Sequence, residues 1–69
     1  LRISSNTPSS VLIGRSLREI RMPEGSLVAL IRRKGETIIP RGLTVLQEGD
    51  RLTIIGDAYG IEELNNEFS

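Results

Sequence analysis

The segment Ser26–Arg33 (SLVALIRR) constrains the fold of this chain more than any other stretch of its sequence. Extended as a strand, it carries apolar side chains on both faces. Leu27, Ala29 and Ile31 alternate with Val28, Leu30 and Arg32. Strands that are apolar on both faces are typical of the middle of a sheet, where neighbouring elements cover each side. We therefore predict a central strand that is covered on both faces.

Turn-forming residues predict antiparallel partners for this strand. Lys34-Gly35 follows directly, and the glycine supplies the positive φ angle that a tight hairpin needs. Residues 37–39 return antiparallel until Pro40, which has no amide proton for a ladder and ends the strand. Glu48-Gly49-Asp50 forms another turn, whose two carboxylates we expect to be solvated, and residues 51–55 form the last strand. The pattern predicts a sheet built mainly from hairpins.

Capping residues predict two helices. Ser16 and Glu19 have the spacing of a capping box at the start of a short helix. Pro23 limits that helix, because a residue that precedes proline disfavours helical geometry. Asp57 is a good N-cap for a terminal helix. One side of the terminal helix carries Ile61, Leu64 and Phe68. At the start of the chain, residues 1–3 resemble the end of a strand and residues 4–10 (SSNTPSS) a loop.

The predicted order of elements is β-α-β-β-β-α. Tight hairpins make the sheet mostly antiparallel, with the two short helices packed on it, so the fold class is α+β. With 69 residues, the whole range 1–69 forms one domain.

The chain has no cysteine and no histidine, and this bears on how so small a domain is stabilised. Small domains usually depend on a disulfide, a metal or a partner. Disulfides and the usual zinc sites are excluded here, which leaves a second copy or the rest of a larger protein. We expect a symmetric homodimer, since isologous contact is the commonest way to bury one apolar patch. Because the sequence opens at Leu1 in mid-pattern, we interpret it as excised from a larger chain, with cleavage as the alternative.

The residues give no support for catalysis. A nucleophile needs a neighbouring base, and without histidine or cysteine only Ser–Lys and carboxylate schemes remain. The only lysine, Lys34, lies in a hairpin turn, and we expect the carboxylate pairs Glu48/Asp50 and Glu62/Glu63 to be solvated. Neither GxxxxGK[ST] nor GxGxxG occurs among the glycines. We predict no enzyme, no catalytic residue, no metal site and no required cofactor.

Nucleic acid is not an expected partner of this fragment. Single-strand platforms need exposed aromatic side chains, and the chain has only Tyr59 and Phe68. Its net charge is zero, unlike that of an autonomous nucleic-acid binder. The longest apolar run, residues 27–31, is far shorter than the roughly 20 residues that cross a bilayer, so no span is predicted.

Charge is distributed unevenly along the chain. Residues 1–41 contain eight basic and three acidic side chains, a net of +5, whereas residues 42–69 contain one basic and six acidic side chains, a net of −5. This asymmetry fits an anion-binding face or head-to-tail self-complementarity. It also fits solvent faces of strands and helices that simply differ in charge.

Three segments, taken in order, resemble a known family. They are GRSLREI at 14–20, PEGSLVALIRR at 23–33 and IIPRGLTVLQEGDRLTIIG at 38–56. They show a G-[KR]-[ST]-L opening, a central strand that ends near arginine, an I-x-P-x-G hairpin return and a G-D-x-[IVL] turn. This ordered set resembles the TrkA C-terminal domain, also called the RCK C-terminal domain.

The resemblance implies a cytoplasmic regulatory domain, attached to or associated with a membrane channel or transporter, most often for potassium or another cation. Such domains typically dimerise, and several bind small ligands, notably cyclic di-AMP, at the dimer interface. The candidate ligand-binding residues lie along the central strand and its entrance: Ser26, Leu27, Val28, Ala29, Arg32 and Arg33. For the apolar members, core packing is the alternative role. Two other functions stay open at this point, the sensor domain of a transcription regulator and a purely structural dimerisation module.

Overall fold

The computed structural model describes all 69 residues, Leu1–Ser69, and centres on a three-stranded antiparallel sheet. Its strands are β1 (Ser26–Arg33), β2 (Glu36–Ile38) and β3 (Arg51–Gly56), in the spatial order β2-β1-β3. The predicted central strand is confirmed, with the predicted bounds. Residues 1–3 extend the sheet beyond β3, because the Leu52 amide donates to the Leu1 carbonyl at 2.7 Å and the Ile3 amide to the Asp50 carbonyl at 2.8 Å.

A bulge in β1 changes which side chains share a face. Val28 pairs with Ile54 and Ile31 with Leu52, although the spacing is two residues on β3 and three on β1. Since residues two apart on a regular strand point the same way, Val28 and Ile31 lie on one face, which we call the inner face. Our prediction that Ile31 shares a face with Leu27 is therefore wrong. An extra residue in one strand reverses the alternation beyond it.

The inner face carries the core, and the opposite outer face is open. One helix, α1 (Ala58–Phe68), packs on the inner face. The buried apolar cluster consists of Ile3, Leu12, Ile31, Leu46, Leu52, Leu64 and Phe68. On the outer face Leu27 pairs with Ile55, and these side chains are 53% and 50% exposed. The expectation that the central strand is covered on both faces holds only for the inner one.

Local chemistry explains the turns and helix ends. Lys34 and Gly35 both have positive φ, 50° and 80°, as a two-residue hairpin turn requires. The Asp57 carboxylate caps α1 by accepting from the Gly60 amide at 2.7 Å. The predicted capping box of Ser16 and Glu19 is present. It starts a 3₁₀ helix, Leu17–Glu19, because the chain before Pro23 is too short for a stable α-helix.

The serine-rich segment is more ordered than we predicted. It contains most of a 3₁₀ helix, Pro8–Leu12, where we expected a loop. Ser9 is fully buried, donates to the Arg2 carbonyl at 3.0 Å and accepts from the Ser4 amide at 3.0 Å. The buried hydroxyl therefore ties this segment to the sheet. No helix of this protein is long and apolar enough to cross a bilayer, and the longest, α1, has 11 residues.

Candidate functional site

The candidate site is a groove of about 250 Å³ beside the first half of β1. β2 pairs only with the second half of β1, from Ile31 to Arg33. The first half therefore has no strand on that side. Its edge faces the 3₁₀ helix Leu17–Glu19 and the segment 40–42, and these form the opposite walls of the groove.

The groove combines an apolar floor with positive charge. Its apolar lining consists of Leu17, Met22, Leu27, Val28 and Pro40, and the remaining lining residues are Arg18, Arg41 and Gly42. No carboxylate lines it. Guanidinium groups bind phosphate bidentately, and an apolar surface accepts a flat heterocycle. The groove can therefore hold an apolar ring and a phosphate together.

Long-range hydrogen bonds bring the two arginines together. The Arg18 amide donates to the Gly42 carbonyl at 2.8 Å, and the Leu17 amide donates to the Thr44 carbonyl at 3.0 Å. The Arg41 amide donates to the hydroxyl of Thr44 at 2.9 Å. Pro40 turns the chain away from the sheet after β2. These contacts fix both walls without using either guanidinium, so both guanidiniums are available to a ligand.

Two of the six predicted ligand-binding residues line this groove, namely Leu27 and Val28. The Ser26 hydroxyl donates to the Pro23 carbonyl at 2.7 Å, and Ala29 lies at the bulge. Arg32 reaches across the hairpin to the Thr37 hydroxyl at 2.9 Å. The groove therefore contains two of the three apolar candidates and neither of the basic ones.

Arg33 is held in an ion pair inside the domain. Its Nε and Nη2 donate to the two carboxylate oxygens of Asp50, both at 2.8 Å, and Nη2 also donates to the Val45 carbonyl at 2.8 Å. The Gln47 amide donates to the same carboxylate at 2.9 Å. Asp50 is fully buried, so our prediction that this turn carboxylate is solvated is wrong. The pair joins the end of β1 to the turn before β3.

The ion pair also shifts both pKa values. Burial alone raises the pKa of Asp50, but the hydrogen bonds from Arg33 and Gln47 and the charge of Arg33 outweigh it, so that the pKa lies below its usual range. The hydrogen bond to Asp50 raises the pKa of Arg33. Both groups are therefore charged at neutral pH.

Sequence reasoning missed the two arginines of the groove. Neither Arg18 nor Arg41 is among the six predicted ligand-binding residues. The I-x-P-x-G motif that contains Arg41 was the available signal. Nothing local indicates that this motif lies against residues 17 and 18, more than twenty positions earlier in the chain.

Two curated proteins named for potassium transport contain a segment that is similar to this chain. The Trk system potassium uptake protein TrkA homolog 1 of Methanosarcina mazei is 37% identical over 59 residues, which are 86% of this chain and 13% of that protein. The K(+)/H(+) antiporter NhaP2 of Shewanella oneidensis is 37% identical over 57 residues, which are 83% of this chain and 10% of that protein. The chain thus spans about a tenth of the length of these curated relatives.

A solved structure described as an RCK domain with cda aligns with a TM-score of 0.84 at 26% identity, over 100% of this chain and 93% of that one. This alignment confirms the α+β fold. The family model described as the TrkA-C domain matches residues 3–69, which is nearly the whole sequence. The chain therefore belongs to the TrkA-C domain family.

Proposed function

We propose that this chain is a cytoplasmic regulatory domain of a cation transport protein, which senses a small nucleotide and dimerises. The observation that carries the proposal is the groove, where Arg18 and Arg41 flank an apolar floor without any carboxylate. Its relatives named for potassium uptake and for K(+)/H(+) antiport support the link to cation transport. The domain acts by binding, and the chemistry of transport belongs to the rest of the protein.

The ligand we propose is cyclic di-AMP. A groove of about 250 Å³ is smaller than the roughly 300–1,000 Å³ of pockets that enclose a whole drug-sized ligand. One groove can therefore hold half of a cyclic di-AMP molecule. One purine would lie on Leu27 and Val28, and one phosphate would lie between Arg18 and Arg41. A cyclic dinucleotide has two equivalent halves, so two grooves related by a two-fold axis would bind it together.

Exposed apolar side chains beside the groove support a homodimer there. Ile39 and Leu43 flank the lining segment 40–42 and are 68% and 73% exposed. Large apolar side chains so exposed, next to a half-sized groove, favour an isologous contact that buries both. The dimer would place the two grooves side by side.

Titration calorimetry with cyclic di-AMP, ATP and AMP tests the ligand. We expect heat with cyclic di-AMP at a stoichiometry of one ligand per two chains. Arg18→Gln and Arg41→Gln should each weaken binding about tenfold or more, because a charge-assisted hydrogen bond contributes about 1.5–3 kcal/mol. Arg21→Gln, which removes an exposed arginine outside the groove, is the matched control.

The result can also contradict the proposal. Equal weakening by all three substitutions would show non-specific charge attraction. No heat with any of the three nucleotides, from a folded dimer, would favour a purely structural dimerisation module. Arg33→Ala is unsuitable as a binding test, because it breaks the buried ion pair with Asp50.

Sedimentation equilibrium at tens of micromolar tests the dimer separately. The wild-type chain should have a mass near twice 7.6 kDa. Ile39→Ser with Leu43→Ser should shift it toward the monomer while the circular dichroism spectrum stays unchanged. A wild-type chain that is folded and strictly monomeric at these concentrations would refute the dimer.

A further inference from the structure

Three arginines form a row across the outer face of the sheet. Arg32 on β1 is the register partner of Arg51 on β3, and Arg51 also forms a bridge with Arg2 in the segment beyond β3. Register partners on neighbouring antiparallel strands point to the same face. Since strands lie about 4.8 Å apart, the row is about 10 Å long at the backbone. Its side chains are exposed.

No member of this row forms an ion pair within the chain, although Arg2 lies near enough to Glu48 for its charge to help lower the pKa of that carboxylate. The only ion pair is that between Arg33 and Asp50. Arg32 instead donates to the Thr37 hydroxyl and, at 3.4 Å, to the Gly35 carbonyl, both on the side away from Arg51. Like charges directly opposite each other on a sheet are destabilising. An external anion would remove that repulsion.

The surroundings of the row indicate the kind of anion. The row lies on an open sheet face, and none of its members lines a groove. The two aromatic residues, Tyr59 and Phe68, belong to α1 on the opposite side of the sheet, so this face has no platform for stacking bases. The half-exposed Ile55 is on the same face as Arg51, about 13 Å along β3.

An open, basic sheet face with an apolar side chain at one end complements an anionic bilayer surface. Relatives of this chain are named for moving potassium across membranes, which would place the domain near such a surface. We propose that the outer face docks on anionic phospholipid headgroups through Arg2, Arg32 and Arg51. This contact is separate from the groove, since none of the three arginines lines it.

Vesicle co-sedimentation at low ionic strength tests the proposal. The chain should pellet with phosphatidylglycerol vesicles, should not pellet with phosphatidylcholine vesicles, and should be released as salt screens the attraction. Arg32→Gln with Arg51→Gln should weaken partition onto phosphatidylglycerol about thirtyfold, since each arginine near an anionic surface contributes about 1 kcal/mol. The matched control is Arg15→Gln with Arg21→Gln, which removes the same charge from two exposed arginines outside the row. It should bind like the wild-type chain.

Circular dichroism establishes that both double variants are folded. Binding that falls equally in the two double variants would overturn the proposal, since only net charge would then matter. So would the absence of binding to phosphatidylglycerol. Two further measurements, with inorganic phosphate and with a single-stranded oligonucleotide, test other occupants of the row. If the chain binds either of these but not the vesicles, and the Arg32/Arg51 variant loses that binding, the row binds a soluble anion or nucleic acid. That result would also overturn the membrane proposal.

Discussion

Replacing Arg33 with methionine removes one partner of the buried ion pair and keeps most of the volume of the side chain. The Asp50 carboxylate then keeps only the hydrogen bond from the Gln47 amide and loses both bonds from the guanidinium. Because Asp50 is fully buried, water does not replace the lost donors without opening the structure. The Val45 carbonyl loses a donor as well.

The structure allows the cost to be ranked. Removing one partner of a buried pair costs about 3–5 kcal/mol when the remaining charge is uncompensated. Asp50→Asn should cost less, about 1–3 kcal/mol, since the Arg33 side chain is 21% exposed and can be hydrated in part. A domain of 69 residues has roughly 3–10 kcal/mol of stability in total, at about 0.05–0.15 kcal/mol per residue. Arg33→Met therefore removes much or all of it.

Urea unfolding followed by circular dichroism measures both variants. We expect the free energy of unfolding to fall in the order wild type, Asp50→Asn, Arg33→Met, with a melting temperature at least about 12 °C lower for Arg33→Met. Arg32→Met is the matched control. Its partners are at the exposed hairpin and it faces Arg51, so its effect should lie within about 0.5 kcal/mol. A loss below 1 kcal/mol for Arg33→Met, or an equal loss for Arg32→Met, would refute the structural role of the pair.

Three further predictions concern turns, helix packing and pH. Gly49→Val should lower the melting temperature by several degrees, because Gly49 has a φ of 90° although its surroundings leave room for a side chain; unchanged thermal stability would contradict this. Gly60→Ala should lower the free energy of unfolding in urea by about 1–3 kcal/mol, despite the helix preference of alanine. The new methyl carbon would lie 2.7 Å from the Gly25 carbonyl carbon and 2.8 Å from the Glu24 carbonyl oxygen. A more stable variant would show that the neighbouring backbone moves aside without cost. The depressed pKa of Asp50 contributes stability above the ordinary carboxyl value of about 3.9, and this contribution is lost as pH falls further. The difference in the free energy of unfolding between wild type and Asp50→Asn should therefore become smaller below about pH 4, as measured by urea unfolding at a series of acid pH values. A difference that stays constant down to pH 2 would contradict the lowered pKa of Asp50.

The elements that depend on neighbouring residues could be predicted from the sequence. Alternating apolar residues predicted Ser26–Arg33 as the central strand, and Lys34-Gly35 predicted its hairpin. Asp57 predicted the start of α1. In each case the side chain and the backbone whose conformation it favours lie within a few residues of each other in the sequence. The family motifs, also local patterns, predicted membership of the TrkA-C domain family.

The groove and the ion pair depend on residues that are distant in sequence. Arg18 and Arg41 line the same groove only because hydrogen bonds join the segment at 17–18 to Gly42 and Thr44. Arg33 meets Asp50 across 17 positions, which turned a predicted ligand residue into one held by a buried carboxylate. No composition or spacing rule specifies which charges meet.

The register between the strands decides which side chains lie on which face of the sheet, and this could not be predicted from the sequence. The one-residue bulge in β1 placed Val28 and Ile31 on the inner face and left Leu27 exposed on the outer one, an outcome that strict alternation does not predict. The same register set Arg32 opposite Arg51. Local sequence determined which segments of this protein become strands, and only the pairing between strands decided which side chains form its core, its groove and its basic face.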